Sequence, residues 1–211
     1  MNEFDIKAAE WDRNQMHRER AEAVATALAS QIPLSKSMTA MEFGAGTGLL
    51  SFMLRDKLGP ITLIDSSEGM VKVLREKLPL SDLPAMKVVK ADLEHEDYPD
   101  EVFDLIYSLM VLHHVNDVEK IIMKFSSMQR SGGYIAVADL YSEDGTFHGH
   151  GFTGHRGFDP GKLANVLERY GYAGVRHSTV YNLRKATPEG VMKEFGVFLM
   201  TAVKKQVFSA G

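Results

Sequence analysis

One carboxylate and three closely spaced glycines form the stretch of this sequence that is best suited to chemistry. Glu42 is followed by Gly44, Ala45, Gly46 and Gly48, directly after an apolar run. Glycine permits a tight turn with positive φ and lets the backbone approach a ligand where a Cβ would clash. A helix that begins at the third glycine directs unpaired N–H groups and a partial positive charge toward this segment. The segment, which we call the glycine loop (residues 44–48), is therefore suited to a carboxylate, a phosphate or the amino-acid part of a larger cofactor.

Polar residues also stand at the ends of three other apolar runs. These residues are Asp65, Asp92 and Ser108. Open parallel sheets bind ligands beyond the carboxyl ends of their strands, so we expect the three side chains to share one crevice with the glycine loop. Asp65 lies 21 residues after Gly44, where an acid can accept both hydroxyls of a ribose. Asp92 is placed to accept from an exocyclic amine such as that of adenine. The set predicts an adenosine-containing cofactor.

Histidines follow the fourth and fifth predicted strands. They are His113, His114, His148, His150 and His155. Imidazole titrates near neutral pH, so any of them is a candidate general base; His113, His114 and His155 are the predicted catalytic residues. The three loop histidines, 148, 150 and 155, also suggest a metal-binding module. No carboxylate pattern nearby completes a known site, and we predict no metal.

Hydrophobic periodicity predicts the elements that position these residues. Short apolar runs predict strands at residues 39–43, 61–64, 86–89, 102–109 and 133–140. Helical spacing predicts helices at residues 13–31, from 49 onward, and at 67–78, 118–128 and 159–170. Ser67 and Asp159 are the expected N-caps of two of them.

Alternating strands and helices predict an α/β fold with a doubly wound, mostly parallel sheet and helices on both faces. The C-terminal part departs from this alternation. Two strand-like runs, 175–183 and 196–203, are joined by a short segment that contains proline. So short a connection favours an antiparallel hairpin and gives seven strands in all. We expect a single domain over residues 1–211, in which residues 141–158 form a long functional loop.

Composition excludes several classes of function. The net charge of −4 provides no basic surface for nucleic acid, and the absence of cysteine excludes disulfides and thiolate metal sites. The N-terminal residues lack the basic-then-apolar order of a signal peptide. No apolar run approaches the roughly 18 residues of a membrane span. We therefore expect a cytoplasmic protein without a membrane span.

Several segments together resemble a known family. The glycine spacing with Glu42 is similar to motif I of class I S-adenosylmethionine-dependent methyltransferases, and differs from the Gly-x-Gly-x-x-Gly of dinucleotide enzymes. Further similar segments follow in family order, at residues 63–70, 90–93, 103–115 and 130–134. Residues 8–12 resemble the segment that small-molecule members fold over the cofactor. The matches extend over nearly the whole chain.

The resemblance implies a Rossmann-like methyltransferase fold that binds S-adenosylmethionine and releases S-adenosylhomocysteine. Residues 1–35 would form a helical lid, and residues 141–158 a substrate or lid loop. By this resemblance Asp65 takes the ribose and Met70 packs on the adenine, while His113 or His114 is the first candidate base for a hydroxyl acceptor. The implied cofactor site consists of Trp11, Glu42, Gly44, Ala45, Gly46, Gly48, Asp65, Ser66, Met70, Asp92, Leu93 and Ser108.

The acceptor is expected to be a small molecule, methylated at O, C, N or S by in-line displacement. Residues 108–111 lack the Asn/Asp-Pro-Pro-Tyr/Phe pattern of amino-methylating enzymes, and the acidic balance disfavours nucleic acid. We expect a monomer or a homodimer. Two alternatives remain open beside the metal-binding module. One is an inactive cofactor-binding subunit that serves another protein, and the other is a nicotinamide-dependent oxidoreductase.

Overall fold

A seven-stranded mixed sheet forms the centre of the molecule. The computed structural model describes residues 3–78, 86–98, 101–149 and 151–206. Within them the strand order is β3-β2-β1-β4-β5-β7-β6, and β7 runs opposite to the other six strands. The strands are β1 (Ala40–Phe43), β2 (Ile61–Asp65), β3 (Met86–Lys90), β4 (Phe103–Leu109), β5 (Gln129–Leu140), β6 (Tyr172–Ala186) and β7 (Met192–Lys204). The predicted α/β fold with its antiparallel C-terminal pair is confirmed.

Helices cover both faces of this sheet. They are α1 (Glu3–Lys7), α2 (Gln15–Gln31), α3 (Leu49–Leu54), α4 (Glu68–Lys77), α5 (Val118–Ser127) and α6 (Pro160–Arg169), with 3-10 turns at Ala8–Arg13 and Leu112–His114. Successive strand residues point to opposite faces, so buried side chains form two separate cores. One core contains residues of α2 and α3, and the other contains residues of α5 and α6. The expected N-caps are present: Ser67 accepts from the Met70 amide, and Asp159 from the Lys162 amide.

Three strands are longer than the sequence predicts. β5 begins at Gln129 rather than at residue 133, because the chain around Gly132, which has a φ of 80°, forms an irregularity inside the strand. β6 and β7 extend beyond residues 175–183 and 196–203 at both ends. The residues added where the two strands face each other, 184–186 and 192–194, are mostly charged and none of them is buried, as at the Arg184–Glu194 pair, so they carry little apolar signal.

No helix in the described part of the chain is long and apolar enough to cross a membrane. The division into one domain with a lid at residues 1–35 and a substrate loop at 141–158 stays a prediction.

Candidate active site

The glycine loop connects β1 to α3 in a conformation that requires glycine. Gly44, Gly46 and Gly48 have φ values of 65°, 55° and 81°, in the left-handed region that side chains with a Cβ rarely adopt. A Cβ at Gly44 would also lie 2.5 Å from the side chain of Val111, which follows β4. The loop is thus packed directly against the segment that leaves the neighbouring strand.

A cavity of about 500 Å³ opens beyond the carboxyl ends of β1, β2 and β4. Eleven of the predicted site residues line it: Trp11, Glu42, Gly44, Ala45, Gly46, Asp65, Ser66, Met70, Asp92, His113 and His114. The crevice expected from the strand ends is therefore present.

Asp65, the last residue of β2, connects two sides of this cavity. Its Oδ2 accepts a hydrogen bond of 2.7 Å from the Gly46 amide, and its Oδ1 accepts one of 2.8 Å from the Ser67 amide. Burial raises the pKa of Asp65, and these two amide donors oppose that change. The carboxylate thus fixes the glycine loop relative to α4, and each of its oxygens has a second lone pair for a ligand.

Glu42 is a buried acid beneath the glycine loop. It is 2% exposed, and its Oε2 accepts a hydrogen bond from the Ser51 hydroxyl, which is itself bonded to the Tyr107 hydroxyl. Burial raises the pKa of Glu42 to about 8. The side chain is therefore mainly neutral at pH 7, and a cation that enters the cavity would favour its ionised form.

The N-terminal segment, residues 3–14, lines part of the cavity and is attached to the glycine loop and to α4. Asp12 accepts from the Thr47 hydroxyl in the glycine loop and forms an ion pair with Lys77 of α4. Lys77 also donates to the Thr47 carbonyl at 2.7 Å. Nearer the N-terminus, Asp5 accepts from the Ser67 hydroxyl at 2.7 Å and from the Gly69 amide at 3.0 Å.

Three histidines meet at the other end of the cavity, beyond β4. They are His113, His114 and His148, which we call the histidine cluster. Asp139, near the end of β5, accepts from His113 Nδ1 at 2.6 Å; both side chains are buried. The cluster lies across the glycine loop from Asp65, because β1 lies between β2 and β4 in the sheet.

Arg20 of α2 lies in the same cavity and is 6% exposed. Burial lowers its pKa to about 10, although the charge of Asp139 acts in the opposite direction. Its Nε has no hydrogen-bond partner among the described residues. A buried guanidinium with an unused N–H is a donor for the anionic group of a ligand.

Four predicted site residues lie outside the cavity lining. Gly48 is the left-handed residue before α3, where a Cβ would lie 2.6 Å from Leu74. Leu93 is part of a hydrophobic core, and Ser108 is buried in β4. His155 contacts the site only through its backbone, which donates to the His113 carbonyl at 2.8 Å. His150 is outside the described residues.

The sequence analysis did not identify Arg20, Asp12, Asp5 or Asp139 as site residues. Asp139 follows the strand-end rule that selected Asp65, so the signal was present. Arg20 and the two N-terminal acids carry no comparable signal, because their positions depend on how α1 and α2 pack against the sheet.

Comparison with known proteins shows which proteins this chain resembles. A family model described as a methyltransferase domain matches residues 41–137. An uncharacterized methyltransferase of Schizosaccharomyces pombe is 31% identical over 147 residues, which are 62% of this chain and 52% of that protein. A demethylmenaquinone methyltransferase of Listeria welshimeri is 28% identical over 109 residues, 50% of this chain and 46% of that protein. The chain therefore spans about half the length of these curated relatives.

A solved structure, that of a SAM-dependent methyltransferase from Aquifex aeolicus, superposes with a TM-score of 0.65. The two sequences are 20% identical, and the match covers 94% of this chain and 97% of that one. At this level of identity the superposition establishes the fold.

Proposed function

We propose that this chain, in which residues 41–137 match a family model described as a methyltransferase domain, transfers a methyl group from S-adenosylmethionine to a small-molecule acceptor. The observation that carries the proposal is that Glu42, the glycine loop and Asp65 line one cavity, in which Asp65 also holds the loop. This arrangement offers separate partners for the two polar ends of the donor.

The donor is proposed to lie along the carboxyl ends of β2, β1 and β4. Asp65 would accept from the ribose hydroxyls, with Met70 against the adenine. Glu42 would pair with the donor ammonium and Arg20 with its carboxylate, because both line the cavity and carry opposite charges when ionised. Asp92 also bonds His95 at 2.8 Å and the Glu94 amide at 3.0 Å, so only part of its accepting capacity remains for adenine.

The donor, when bound, supplies a methyl group that is already activated on a sulfonium. The protein then has to hold an acceptor about 3 Å from that methyl group, in line with the sulfur. The N-terminal segment, attached through Asp12 and Asp5, would exclude water from this region. For a hydroxyl acceptor the histidine cluster is positioned to take up the departing proton. The hydrogen bond that Asp139 accepts from Nδ1 of His113 would orient this ring and leave its Nε2 available for this purpose.

A small molecule is the proposed acceptor class, supported by the demethylmenaquinone methyltransferase among the relatives. Phe147 and Phe152 pack around the histidine cluster, and aromatic side chains of this kind suit a flat or partly apolar acceptor.

Thermal unfolding with S-adenosylhomocysteine tests donor binding. At 100 times its Kd a ligand stabilises the folded state by about 2.7 kcal/mol. For a chain of this size that corresponds to a rise in Tm of roughly 5–10 °C. NAD is expected to cause no shift. A shift with NAD but none with S-adenosylhomocysteine would favour the oxidoreductase alternative and overturn the proposal.

Transfer itself is tested by the release of S-adenosylhomocysteine from S-adenosylmethionine with a panel of quinols, phenols and amines. Release that depends on one class of acceptor supports the proposed function. Donor binding without transfer to any acceptor of the panel would favour an inactive, cofactor-binding subunit instead.

A further inference from the structure

The three imidazoles of the histidine cluster converge on one point. One ring nitrogen from each of His113, His114 and His148 lies within 4.8 Å of the other two. The ring centroids of His113 and His114 are 4.2 Å apart, and that of His148 lies 5.0 and 5.3 Å from theirs. Two of these residues are adjacent in the chain, and the third comes from the loop after β5, so the convergence is a product of the fold.

Asp139 orients one of the three rings. Its hydrogen bond to Nδ1 of His113 leaves Nε2 as the nitrogen of that ring that is available to a ligand. A carboxylate that fixes one imidazole nitrogen while the other binds a metal is a common outer partner in metal sites. Asp139 is itself held, because its Oδ1 accepts from the Leu140 amide at 2.7 Å.

His148 presents a buried nitrogen that has no partner among the described residues. This atom is Nε2, and a buried polar atom without a partner is unfavourable. Phe152 stacks on the ring at 3.8 Å and Phe147 contacts it edge-on at 4.7 Å. These aromatic rings limit the access of water.

We propose that His113, His114 and His148 bind a divalent transition-metal ion of the Zn²⁺ type. Neutral imidazoles are the nitrogen ligands that such ions prefer, and three of them leave a coordination position open. Tetrahedral Zn–N bonds of 2.0–2.1 Å place the nitrogens about 3.3 Å apart. The nitrogens therefore have to approach one another from up to 4.8 Å, which side-chain rotation of His148 and His114 can achieve.

The sequence analysis predicted no metal because it considered the loop histidines alone. The fold combines His148 with two histidines after β4 rather than with His155, and it provides the missing carboxylate from β5. A bound ion would occupy the imidazole lone pairs, and an acceptor oxygen at its open position would become more acidic. In the loaded protein the ion would thus replace the imidazole as the group that activates the acceptor.

The binding of Co²⁺ to the untagged protein tests this inference, since tetrahedral or five-coordinate Co²⁺ absorbs visible light. We expect one equivalent to bind with such a band, and Zn²⁺ to displace it. His148→Ala should abolish the band and weaken binding by more than about 10-fold, and Asp139→Asn should weaken it by about 10- to 100-fold. His177→Ala is the matched control, because this histidine is exposed on β6, and it should bind Co²⁺ as the wild type does.

His148→Ala separates this inference from the proposed function, because the variant keeps Glu42, the glycine loop and Asp65. A thermal shift of this variant with S-adenosylhomocysteine would show that it folds, and His177→Ala should show the same shift as the wild type. Equal Co²⁺ affinity in the wild type and His148→Ala, or no visible band at one equivalent, would overturn the metal site. Neither result would affect donor binding.

Discussion

At the scale of single residues, the site depends on two acids that the fold buries, where ionisation of a carboxyl group is unfavourable in free energy. Asp65 and Glu42 are both largely buried, and burial raises the pKa of each. They differ in their partners. Two backbone amides donate to Asp65, whereas Glu42 accepts from the Ser51 hydroxyl. Asp65 is thus provided with donors that stabilise its charge, and Glu42 is left to ionise when a cation arrives.

Replacing Asp65 with Asn should weaken donor binding. The amide retains one acceptor atom, but its NH₂ group would face either the Gly46 or the Ser67 amide, both of which are donors. The variant therefore loses charged hydrogen bonds to the ribose and also loosens the glycine loop. Hydrogen bonds to charged groups contribute about 1.5–3 kcal/mol, so the Kd for S-adenosylhomocysteine, measured by calorimetry, should rise about 10- to 100-fold.

Asp56→Asn is the matched control, because its carboxylate is 83% exposed and lies outside the cavity lining. It should leave the Kd unchanged. An Asp65→Asn variant that binds as tightly as the control would remove Asp65 from the donor site.

At the scale of elements, the packing of α1 on α4 holds the N-terminal segment beside the cavity. α1 packs so closely on α4 that a Cβ at Gly69 would lie 2.7 Å from the Cα and the carbonyl oxygen of Asp5. Since these are backbone atoms, no rotation of a side chain can relieve the clash. Gly69 is therefore required for the contact and not for a turn.

Gly69→Ala should displace the N-terminal segment while the rest of the fold remains. Alanine is favoured over glycine within a helix by up to about 1 kcal/mol, so the Tm should not fall by more than a few degrees. Tryptic cleavage after Lys7 and Arg13 should become faster. The Kd for S-adenosylhomocysteine should rise by roughly 10-fold, equivalent to about 1.4 kcal/mol, because part of the cover is lost.

Gly161→Ala is a close control, since Gly161 is also the second residue of a helix that follows an N-cap side chain. The nearest atom to its added Cβ is Oδ1 of Asp159 at 3.2 Å, the end of a side chain. Equal cleavage rates in the two variants would show that the contact between α1 and α4 does not hold the segment in place.

The difference between buried and exposed strands explains which elements the sequence predicts well. The buried strands β1, β2 and β4 are continuous apolar runs, and their predicted positions agree with the structure to within one residue. β6 lies at the edge of the sheet, where exposed polar residues interrupt the pattern, and its true ends were missed. The hydrogen bonds that attach the N-terminal segment could not be foreseen, because Asp5 and Asp12 are ordinary polar residues until packing brings them to Ser67 and Thr47.

At the scale of the whole molecule, one sheet with a core on each face positions the candidate site beyond the carboxyl ends of β1, β2 and β4. Strand-end reasoning predicted Asp65, the glycine loop and the histidines after β4, because it depends only on the order of elements. It could not predict that His148 rather than His155 would join those histidines, since that depends on the path of the loop at residues 141–158. The loop returns along the sheet through the parallel bridge of Tyr141 and Phe158.

Glu42 should make the stability of the whole fold depend on pH. Burial raises its pKa from 4.5 to about 8. An acid with a raised pKa stabilises the fold below its unfolded pKa, and the contribution is lost as the pH rises through the folded pKa. The free energy of unfolding of the unliganded protein should therefore fall between pH 6.5 and 8, by at most about 1.4 kcal/mol per pH unit for one such group.

Urea unfolding between pH 6.5 and 8 measures this slope. Below pH 6.5 the half-buried His17, whose pKa is lowered to about 4 by desolvation and by Arg20, produces the opposite slope. Glu42→Gln should remove most of the decrease, because its amide resembles the neutral carboxyl and still accepts from Ser51. Glu22→Gln, at an exposed position of α2, also replaces one glutamate with its neutral amide. The free energy of unfolding of this variant should still fall between pH 6.5 and 8.

Saturating S-adenosylhomocysteine should flatten the wild-type slope as well, since its ammonium would stabilise the ionised carboxylate that burial disfavours. If the ligand stabilises the protein equally at every pH in this range, Glu42 does not contact the ammonium. If Glu42→Gln keeps the wild-type slope, the buried acid does not control the stability. The ligand experiment is therefore interpreted together with the Glu42→Gln experiment, because only a carboxyl group that is neutral in the unliganded fold can make the stabilisation by the ligand depend on pH.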